Sequence, residues 1–380
     1  MIASCCLCPL AMLMVAPFGI DPKPPQPPLT VDFRLQAQLS VKQGVAYLAA
    51  GQRADGGWEA FGKPNLGITA LAVQCLVQDK SYGPDHVRVE RGLAFILRHV
   101  QPDGGIYAPD EGMRNYHTSV ALMALAATGD SKHAGTIREA QDFLKKLQWD
   151  GGEGHEASSP WYGGQGYGKH KRPDLSNTQM MLEALHQSGL SADDPVYRKA
   201  MVFITRCQML GEQNDQPFAA GATDGGFIYS PANGGESKAG TRIIDGQPQL
   251  RSYGSMTYAG FKSLLYARID REDVRVQRAV DWIRRYYTLD HNPNMPHAHS
   301  LEGLYYYYHV FARAMDAWGE DVFVDARGTP HRWRTELCHA LFARQRKDGS
   351  WINEADRWYE GNPHLVTAYA LLALQTALSD

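Results

Sequence analysis

Apolar residues recur along this chain at spacings of four and three residues, the pattern of helices that bury one face. Five segments share a threonine followed by apolar residues four and seven positions later, at Thr69, Thr118, Thr178, Thr257 and Thr367. A further segment, "GLYYYYHVFARAMDA" (303–317), fits that register poorly. Each segment follows another helix-like stretch, such as "VKQGVAYLAAGQ" or "WRTELCHALFARQ". The pattern therefore predicts a series of helix pairs.

A glycine-rich turn recurs between the helices of each pair. It consists of a glutamine, one or two further residues, and then Asp-Gly-Gly or Asp-Gly-Ser. It occurs at 52–58, 101–106, 148–152 and 345–351, with a split copy at 207–208 and 224–227 and a degenerate copy around 282–294. The glycines supply the positive φ angles of a tight turn. We expect the glutamine and the aromatic residue to fasten each turn to the next pair, because one pair cannot bury its apolar face alone.

Composition places the chain among soluble globular proteins. Of its 380 residues, 44% are hydrophobic and 21% charged, with a net charge of −3. We find no cluster of Lys and Arg that would bind nucleic acid, so no nucleic-acid partner is predicted. Cys75, Cys207 and Cys338 are scattered singly along the chain and are predicted to be small buried hydrophobic residues.

The N-terminus has the character of a targeting segment. Residues 1–20 are apolar over a length that suits a signal-peptide core, and "DPKPPQPP" follows directly. We predict an export leader at 1–20, a proline-rich linker at 21–37 and a folded unit at 38–380. The predicted location is therefore periplasmic, extracellular or membrane-tethered.

The repeats "GQRADGGW" and "RQRKDGSW" resemble the Gln–Trp motifs of squalene–hopene cyclases. The wider set is similar to protein prenyltransferase β subunits, and the resemblance covers roughly residues 38–380. It implies an all-α fold, a single α/α toroid of the terpenoid cyclase-like superfamily. About six helix hairpins would close into a ring, with the second helices as an inner barrel and the first helices as an outer one.

The acid motif departs from this resemblance. Class II terpene cyclases protonate an alkene with the middle Asp of Asp-x-Asp-Asp-Thr, at the start of an inner helix. The matching stretch here is "DLSNT" (174–178), with Ser176 at the proton-donating position and Asn177 in place of the last Asp. A serine hydroxyl is far too weak an acid for this step. Asp174 stays as a candidate replacement acid.

The zinc site of protein prenyltransferases is also missing from the pattern. Tyr253 and Ser255 stand where the Asp and Cys ligands would be, and His364 is two residues out of register. We therefore predict no metal, no other cofactor and no prenyltransferase α subunit as a partner. His297 and His299 have the spacing of a ligand pair, but no third ligand is obvious nearby.

The residues just before the inner-helix threonines should face one end of the barrel and form a pocket. The candidate catalytic residues are Asp174, Ser176, Asn177, His117 and Tyr253, and the candidate lining residues are Asn65, Tyr116, Ser255, Tyr258, Tyr305 and His364. The alternative is that they cap helices and satisfy backbone NH groups. The segments 152–174, 235–255 and 357–363 are predicted to cover the pocket mouth.

Three functions stay open at this point. The first is a terpene cyclase-like enzyme of divergent mechanism, an isomerase acting on an isoprenoid. The second is a non-catalytic toroid that binds an isoprenoid or a partner, which the altered acid motif favours. The third is an exported polysaccharide lyase or hydrolase, with His and Tyr as base and acid. A deep apolar tunnel with Asp174 at its end favours an isoprenoid, whereas a shallow polar groove where His117 and Tyr253 converge favours sugar chemistry. A plugged centre would exclude both.

Overall fold

The computed structural model describes residues 31–168, 171–244 and 246–379. Helices dominate these ranges, and three short antiparallel hairpins interrupt them. The helices are α1 (Val31–Ala50), α2 (Leu66–Val77), α3 (Val87–Leu97), α4 (Arg114–Ala127), α5 (Ala134–Lys146), α6 (Leu175–Gln187), α7 (Pro195–Cys207), α8 (Gly254–Tyr266), α9 (Val274–Tyr286), α10 (Leu304–Trp318), α11 (Trp333–Phe342) and α12 (Pro363–Leu378). The hairpins pair β1 (Trp58–Ala60) with β2 (Lys63–Asn65), β3 (Thr241–Ile244) with β4 (Gln247–Leu250), and β5 (Val322–Val324) with β6 (Pro330–Arg332).

The even-numbered helices form a closed inner ring. Each of α2, α4, α6, α8, α10 and α12 packs against the next, and α12 returns to α2. The odd-numbered helices lie outside this ring, each against one or two inner helices. Inner helix α2 buries nearly all of its residues, whereas outer helix α9 buries one face, from Val276 to Ile283. The prediction of an all-α, six-hairpin α/α toroid is confirmed.

The repeated threonines tie each turn to its inner helix. All five are fully buried, and each hydroxyl accepts a hydrogen bond from a backbone NH of the preceding turn. The donors are Trp58, Ile106, Gln165, Phe227 and Trp351, at 2.9–3.1 Å. The threonine therefore recurs because a buried NH group needs an acceptor at that point.

The turn glutamines reach the next outer helix in four of the five turns that have one. Gln52, Gln148, Gln208 and Gln345 each donate to a carbonyl of their own turn and to one of the following outer helix. Gln345 thereby links the last turn to Ser40 of α1 and closes the ring. Gln101 differs, since its amide donates to His99 and Tyr107 within its own turn.

This difference predicts unequal costs for removing the glutamines. Gln208→Ala should lower the free energy of unfolding by about 2 kcal/mol, because the buried carbonyls of Gly225 and Arg275 lose their donor. Gln101→Ala should cost about 1 kcal/mol or less, since its bonds stay within a partly exposed turn. Urea unfolding curves measure both. Equal losses would contradict a fastening role for Gln208.

The third turn is not where the sequence pattern locates it. Gly163 and Gly164, not Gly151 and Gly152, occupy the turn position, because Gln148 donates to the carbonyl of Gly163. Gly163 has a positive φ of 79°, and the first glycine of each of the other turns also has a positive φ. The Asp-Gly-Gly at 150–152 instead forms a separate 3-10 turn on the surface. The insertion at 152–174 thus moved the structural turn along the chain.

The N-terminal boundary also differs from the prediction. Helix α1 begins at Val31, inside the range predicted as a linker, because Ala37, Val41, Val45 and Leu48 form a buried stripe that packs on the core. The predicted leader and the first part of the linker, residues 1–30, lie outside the described residues. Within the described ranges, no helix has both the length and the apolar content needed to cross a bilayer.

Candidate functional site

A cavity of about 550 Å³ opens where the inner helices begin. All six inner helices contribute to its wall, since each brings at least one residue from its first turns or from the residue before it. These are Asn65 and Ile68, Met113 and Tyr116, Ser176, Asn177 and Met180, Tyr253, Ser255 and Met256, Gly303 and Tyr306, and Leu365 and Tyr369. The size lies within the range of about 300–1,000 Å³ typical of small-molecule sites.

The wall is mainly aromatic and apolar. Tyrosine rings come from the inner helices and from the covering loops, and Met180 and Met256 lie between them. The tyrosines are Tyr116, Tyr167, Tyr229, Tyr253, Tyr306, Tyr359 and Tyr369. Aromatic faces attract cations through their quadrupole and methionine adapts to irregular apolar ligands. The cavity therefore suits an apolar molecule, including one that develops positive charge.

Six predicted site residues line this cavity. They are Ser176, Asn177, Tyr253, Asn65, Tyr116 and Ser255. Some of them also make the capping contacts of the alternative interpretation. Asn65 caps α2 by accepting from the NH of Ile68 at 2.9 Å, whereas the backbone NH of Ser255 donates to the side chain of Asn292 at 3.0 Å. Capping and lining are thus combined in the same side chains.

Five other predicted residues lie away from the lining, which corrects their assignment. Tyr258 packs on Tyr307 and Phe311 inside the protein, and Tyr305 packs against Tyr308. At about 100° per residue, a helix that points Met256 or Tyr306 into the barrel must turn Tyr258 and Tyr305 away. The other three are Asp174, His117 and His364.

Both histidines are held by local packing. His117 is fully buried, and its Nε2 lies 3.4 Å from a carboxylate oxygen of Glu111, which does line the cavity. Burial and the nearby His99 lower the pKa of His117 to about 4, so it is neutral at physiological pH. His364 packs beside the ring of Tyr47, with centroids 5.7 Å apart. Neither histidine converges with Tyr253 on a polar groove.

Asp174 is the N-cap of α6. Its carboxylate accepts from the backbone NH of Asn177 at 2.8 Å and from the Asn177 side-chain amide at 2.9 Å. Burial raises the pKa of Asp174 to about 6, although these hydrogen bonds favour the anion. Asp174 is not part of the lining, but both Asn177 and Tyr229, whose phenol also hydrogen-bonds this carboxylate, are. Asp174, the first acid of the motif, is therefore hydrogen-bonded to Asn177, which stands where the motif has its last acid.

Ser176 faces Tyr306 across the barrel. Its hydroxyl lies 2.9 Å from the phenol oxygen of Tyr306, which also accepts from the amide of Gln179 at 2.9 Å. Tyr306 belongs to the tyrosine row at 305–308, and within that row it is the member that lines the cavity. Ser176, at the position that carries the acid in class II cyclases, is thus hydrogen-bonded to another hydroxyl group, that of Tyr306.

Sequence reasoning missed Glu360, a cavity residue that is only 1% exposed. Its carboxylate accepts from the backbone NH of Tyr306 at 2.8 Å and of Tyr305 at 3.3 Å, and from the Asn353 amide at 2.6 Å. It therefore caps α10, whose own N-cap is Gly303. Burial raises the pKa of Glu360 to about 7, against the pull of these donors. The repeat pattern in the sequence did not mark Glu360, because this residue precedes α12 but caps α10.

The mouth of the cavity is rimmed by exposed aromatic residues. Phe61, at the tip of the β1–β2 hairpin, is 79% exposed, and its ring centroid lies 5.5 Å from that of Tyr359. Tyr167 and Lys238 reach the wall from two of the segments predicted to cover the pocket, and Trp358 and Tyr359 from the third. Among the described residues, no three potential metal ligands come together in a way that could hold an ion.

Comparison with known proteins supports the terpenoid cyclase-like relationship. Residues 61–230 match the profile of the squalene-hopene cyclase C-terminal domain. A probable squalene–hopene cyclase of Sinorhizobium fredii is 28% identical over 192 residues, which is 44% of this chain and 29% of that protein. A drimenyl diphosphate synthase of Streptantibioticus cattleyicolor is 34% identical over 128 residues, 30% of this chain and 24% of that protein. The matched segments thus span less than a third of these curated relatives.

Solved structures share the fold at low identity. A variant of the type II terpene cyclase MstE from Scytonema, in complex with its substrate geranylgeranyl dihydroxybenzoate, aligns over 92% of this chain and 99% of its own, with a TM-score of 0.54 and 13% identity. A D-mannose isomerase aligns over 93% and 99%, with a TM-score of 0.58 and 12% identity. Sugar enzymes and terpene cyclases therefore share this toroid, and the fold by itself does not choose between them.

The sequence matches, unlike the fold, are to cyclases and not to sugar enzymes. The fold is an α/α toroid with a cavity at the start of its inner helices, and the sequence similarity lies with the cyclases. The chain is similar to the terpenoid cyclase-like superfamily in sequence over residues 61–230 and in fold over about nine tenths of its length.

Proposed function

We propose that the cavity binds an isoprenoid chain and that the protein is a terpene cyclase-like enzyme of divergent mechanism. The observation that carries the proposal is the composition of the wall. Tyrosine rings and three methionines surround a space formed by all six inner helices. Such a wall excludes water and presents aromatic faces to positive charge, as carbocation chemistry requires.

The placement of the polar groups argues against the sugar-enzyme alternative. A lyase or hydrolase needs an acid and a base within reach of one polar substrate. His117, the candidate base, is buried away from the lining, while Tyr253 is on it. Burial also keeps the pKa of Tyr253 well above its ordinary value, so it is a poor proton donor.

Filling the cavity should abolish isoprenoid binding. Met256→Trp places a bulky ring in the space, and we expect it to weaken the binding of geranylgeranyl diphosphate or squalene at least ~10-fold. Equilibrium dialysis measures the affinity. Tyr258→Phe is the matched control, because Tyr258 is buried two residues along the same helix and faces away from the cavity.

The outcome separates binding from mere hydrophobic adsorption. The wild type and Tyr258→Phe should bind one molecule per chain with the same affinity, and Met256→Trp should not. Equal binding by all three proteins would contradict the cavity as the site. Binding of mannose or an oligosaccharide in preference to both isoprenoids would favour the sugar-enzyme alternative.

A further inference from the structure

The site needs a proton donor that the acid motif no longer supplies. Ser176 is a hydroxyl, and Asp174 does not line the cavity and is engaged as the N-cap of α6. Among the described residues, the carboxyl side chains that line the cavity are Glu111 and Glu360. Glu111 is 39% exposed, so water solvates it, whereas Glu360 is 1% exposed. Of these two, Glu360 combines a cavity position with the dry surroundings that keep a carboxylic acid protonated.

The two oxygens of Glu360 are not equivalent. Oε2 accepts from the Asn353 amide and from the NH of Tyr305, which occupy both of its lone pairs. Oε1 accepts from the NH of Tyr306, and the backbone of Leu304 also donates to this carboxylate. Oε1 has one donor fewer in direct contact than Oε2 and is the oxygen that would carry the proton. Donors on Oε2 stabilise the carboxylate that remains after transfer, and so make the acid stronger at that moment.

We propose that Glu360 is the catalytic acid of this protein and protonates a terminal isopropylidene alkene of an isoprenoid held in the cavity. This inference rests on the proposed function. The O–H bond at Oε1 breaks, and the alkene electron pair forms a new C–H bond at the less substituted carbon. The resulting tertiary cation lies among the tyrosine faces and is attacked by the next double bond. A proton lost from the final cation goes to solvent, which reprotonates Glu360, so the reaction is an isomerisation.

The groups around Glu360 do not change their charge near pH 7, so a pH dependence of turnover there would report the titration of Glu360. The phenols of Tyr305, Tyr308 and Tyr369 interact with it, and burial raises the pKa of all three above the ordinary value, so they stay neutral near pH 7. Arg357 lies close in sequence but pairs with Glu302 at 2.8 Å. Because burial raises the pKa of Glu360 to about 7, we expect turnover to fall as the pH rises above about 7.

The test is turnover in D₂O by the full chain, with geranylgeranyl diphosphate and squalene as the probes. The wild type should form a cyclic product that carries one deuterium at the protonated carbon. Glu360→Gln keeps an oxygen that can accept from Tyr306 but has no acidic proton, and should lose at least ~100-fold in turnover. Glu360→Asp should retain part of the activity, with the fall at alkaline pH still present.

The controls separate chemistry from the capping role. Asp174→Asn should keep turnover within ~10-fold of the wild type, since Asn is also a good N-cap. Glu360→Gln should still fold and bind both probes as the wild type does, but it should melt at a lower temperature, because its amide nitrogen cannot accept from the Asn353 amide and the NH of Tyr305. If turnover survives in Glu360→Gln, or is lost instead in Asp174→Asn, Glu360 is not the acid. Wild-type binding without labelled product would overturn the acid role alone, and absence of binding would overturn the proposed function itself.

Discussion

Lys262→Met should lower the free energy of unfolding by about 3–5 kcal/mol, one of the two largest effects expected for a single substitution in this protein. Lys262 of α8 and Glu183 of α6 form an ion pair inside the barrel, and both side chains are fully buried. Although burial disfavours its anion, the charges of Lys262, His309 and Arg313 hold the pKa of Glu183 at about 2. Without the lysine, a buried carboxylate would lose its main counter-charge. Urea unfolding at pH 7 measures the loss.

Two further variants test whether the effect comes from a buried carboxylate that keeps only Arg313, 3.3 Å away, as a charged partner. Adding Glu183→Leu to Lys262→Met should recover most of the stability, because a buried pair replaced by apolar side chains is often neutral. Arg278→Met breaks an exposed pair with Asp281, where both side chains are about half exposed, and should cost under ~1 kcal/mol. If the double variant is as unstable as Lys262→Met, the loss arises from packing and not from charge.

Gly163→Ala should lower the free energy of unfolding by about 3 kcal/mol. Gly163 has a φ of 79°, which costs a residue with a Cβ atom about 1–2 kcal/mol. That Cβ would also overlap the backbone carbonyl of Lys199 in α7, and relieving such an overlap costs a further amount of about 1–3 kcal/mol. Thermal and urea unfolding should both report the loss.

Gly152→Ala is the matched control, since Gly152 is one of the two glycines that the sequence repeat assigns to this turn. Its φ is not positive, and a Cβ there would meet only the Asp150 side chain, at 3.1 Å. We expect a change within about 1 kcal/mol. A larger loss for Gly152→Ala than for Gly163→Ala would return the third turn to residues 150–152.

The fold was predictable because its determinants are local and repeated. A threonine with apolar residues four and seven positions later marked five of the six inner helices, and the glycine turns marked the hairpins. The structure gives a physical reason for both, since the threonine accepts from the turn and the glutamine reaches the next outer helix. Where an insertion broke the local pattern, as at 152–174, the prediction failed and the structural turn moved to Gly163.

The site was predictable only in part. Ser176, Asn177, Tyr253 and Tyr116 line the cavity because helix starts in a closed ring must face a common end. Tyr258 and Tyr305 were assigned to it by proximity in sequence, although a helix rotates neighbouring residues away. The pair Glu183 and Lys262 had a signal that was missed, since both stand five positions after a repeated threonine, on the inner face.

The sequence by itself determined the helix pairs, the turns and the altered acid motif, because each depends on residues close together in the chain. Only the tertiary structure decided which acid borders the cavity. Glu360 precedes α12 but caps α10, and it contacts the NH groups of Tyr305 and Tyr306, more than fifty positions away. Such a contact exists because the consecutive inner helices α10 and α12 pack side by side, and the burial that sets the acidity of Glu360 comes from that packing.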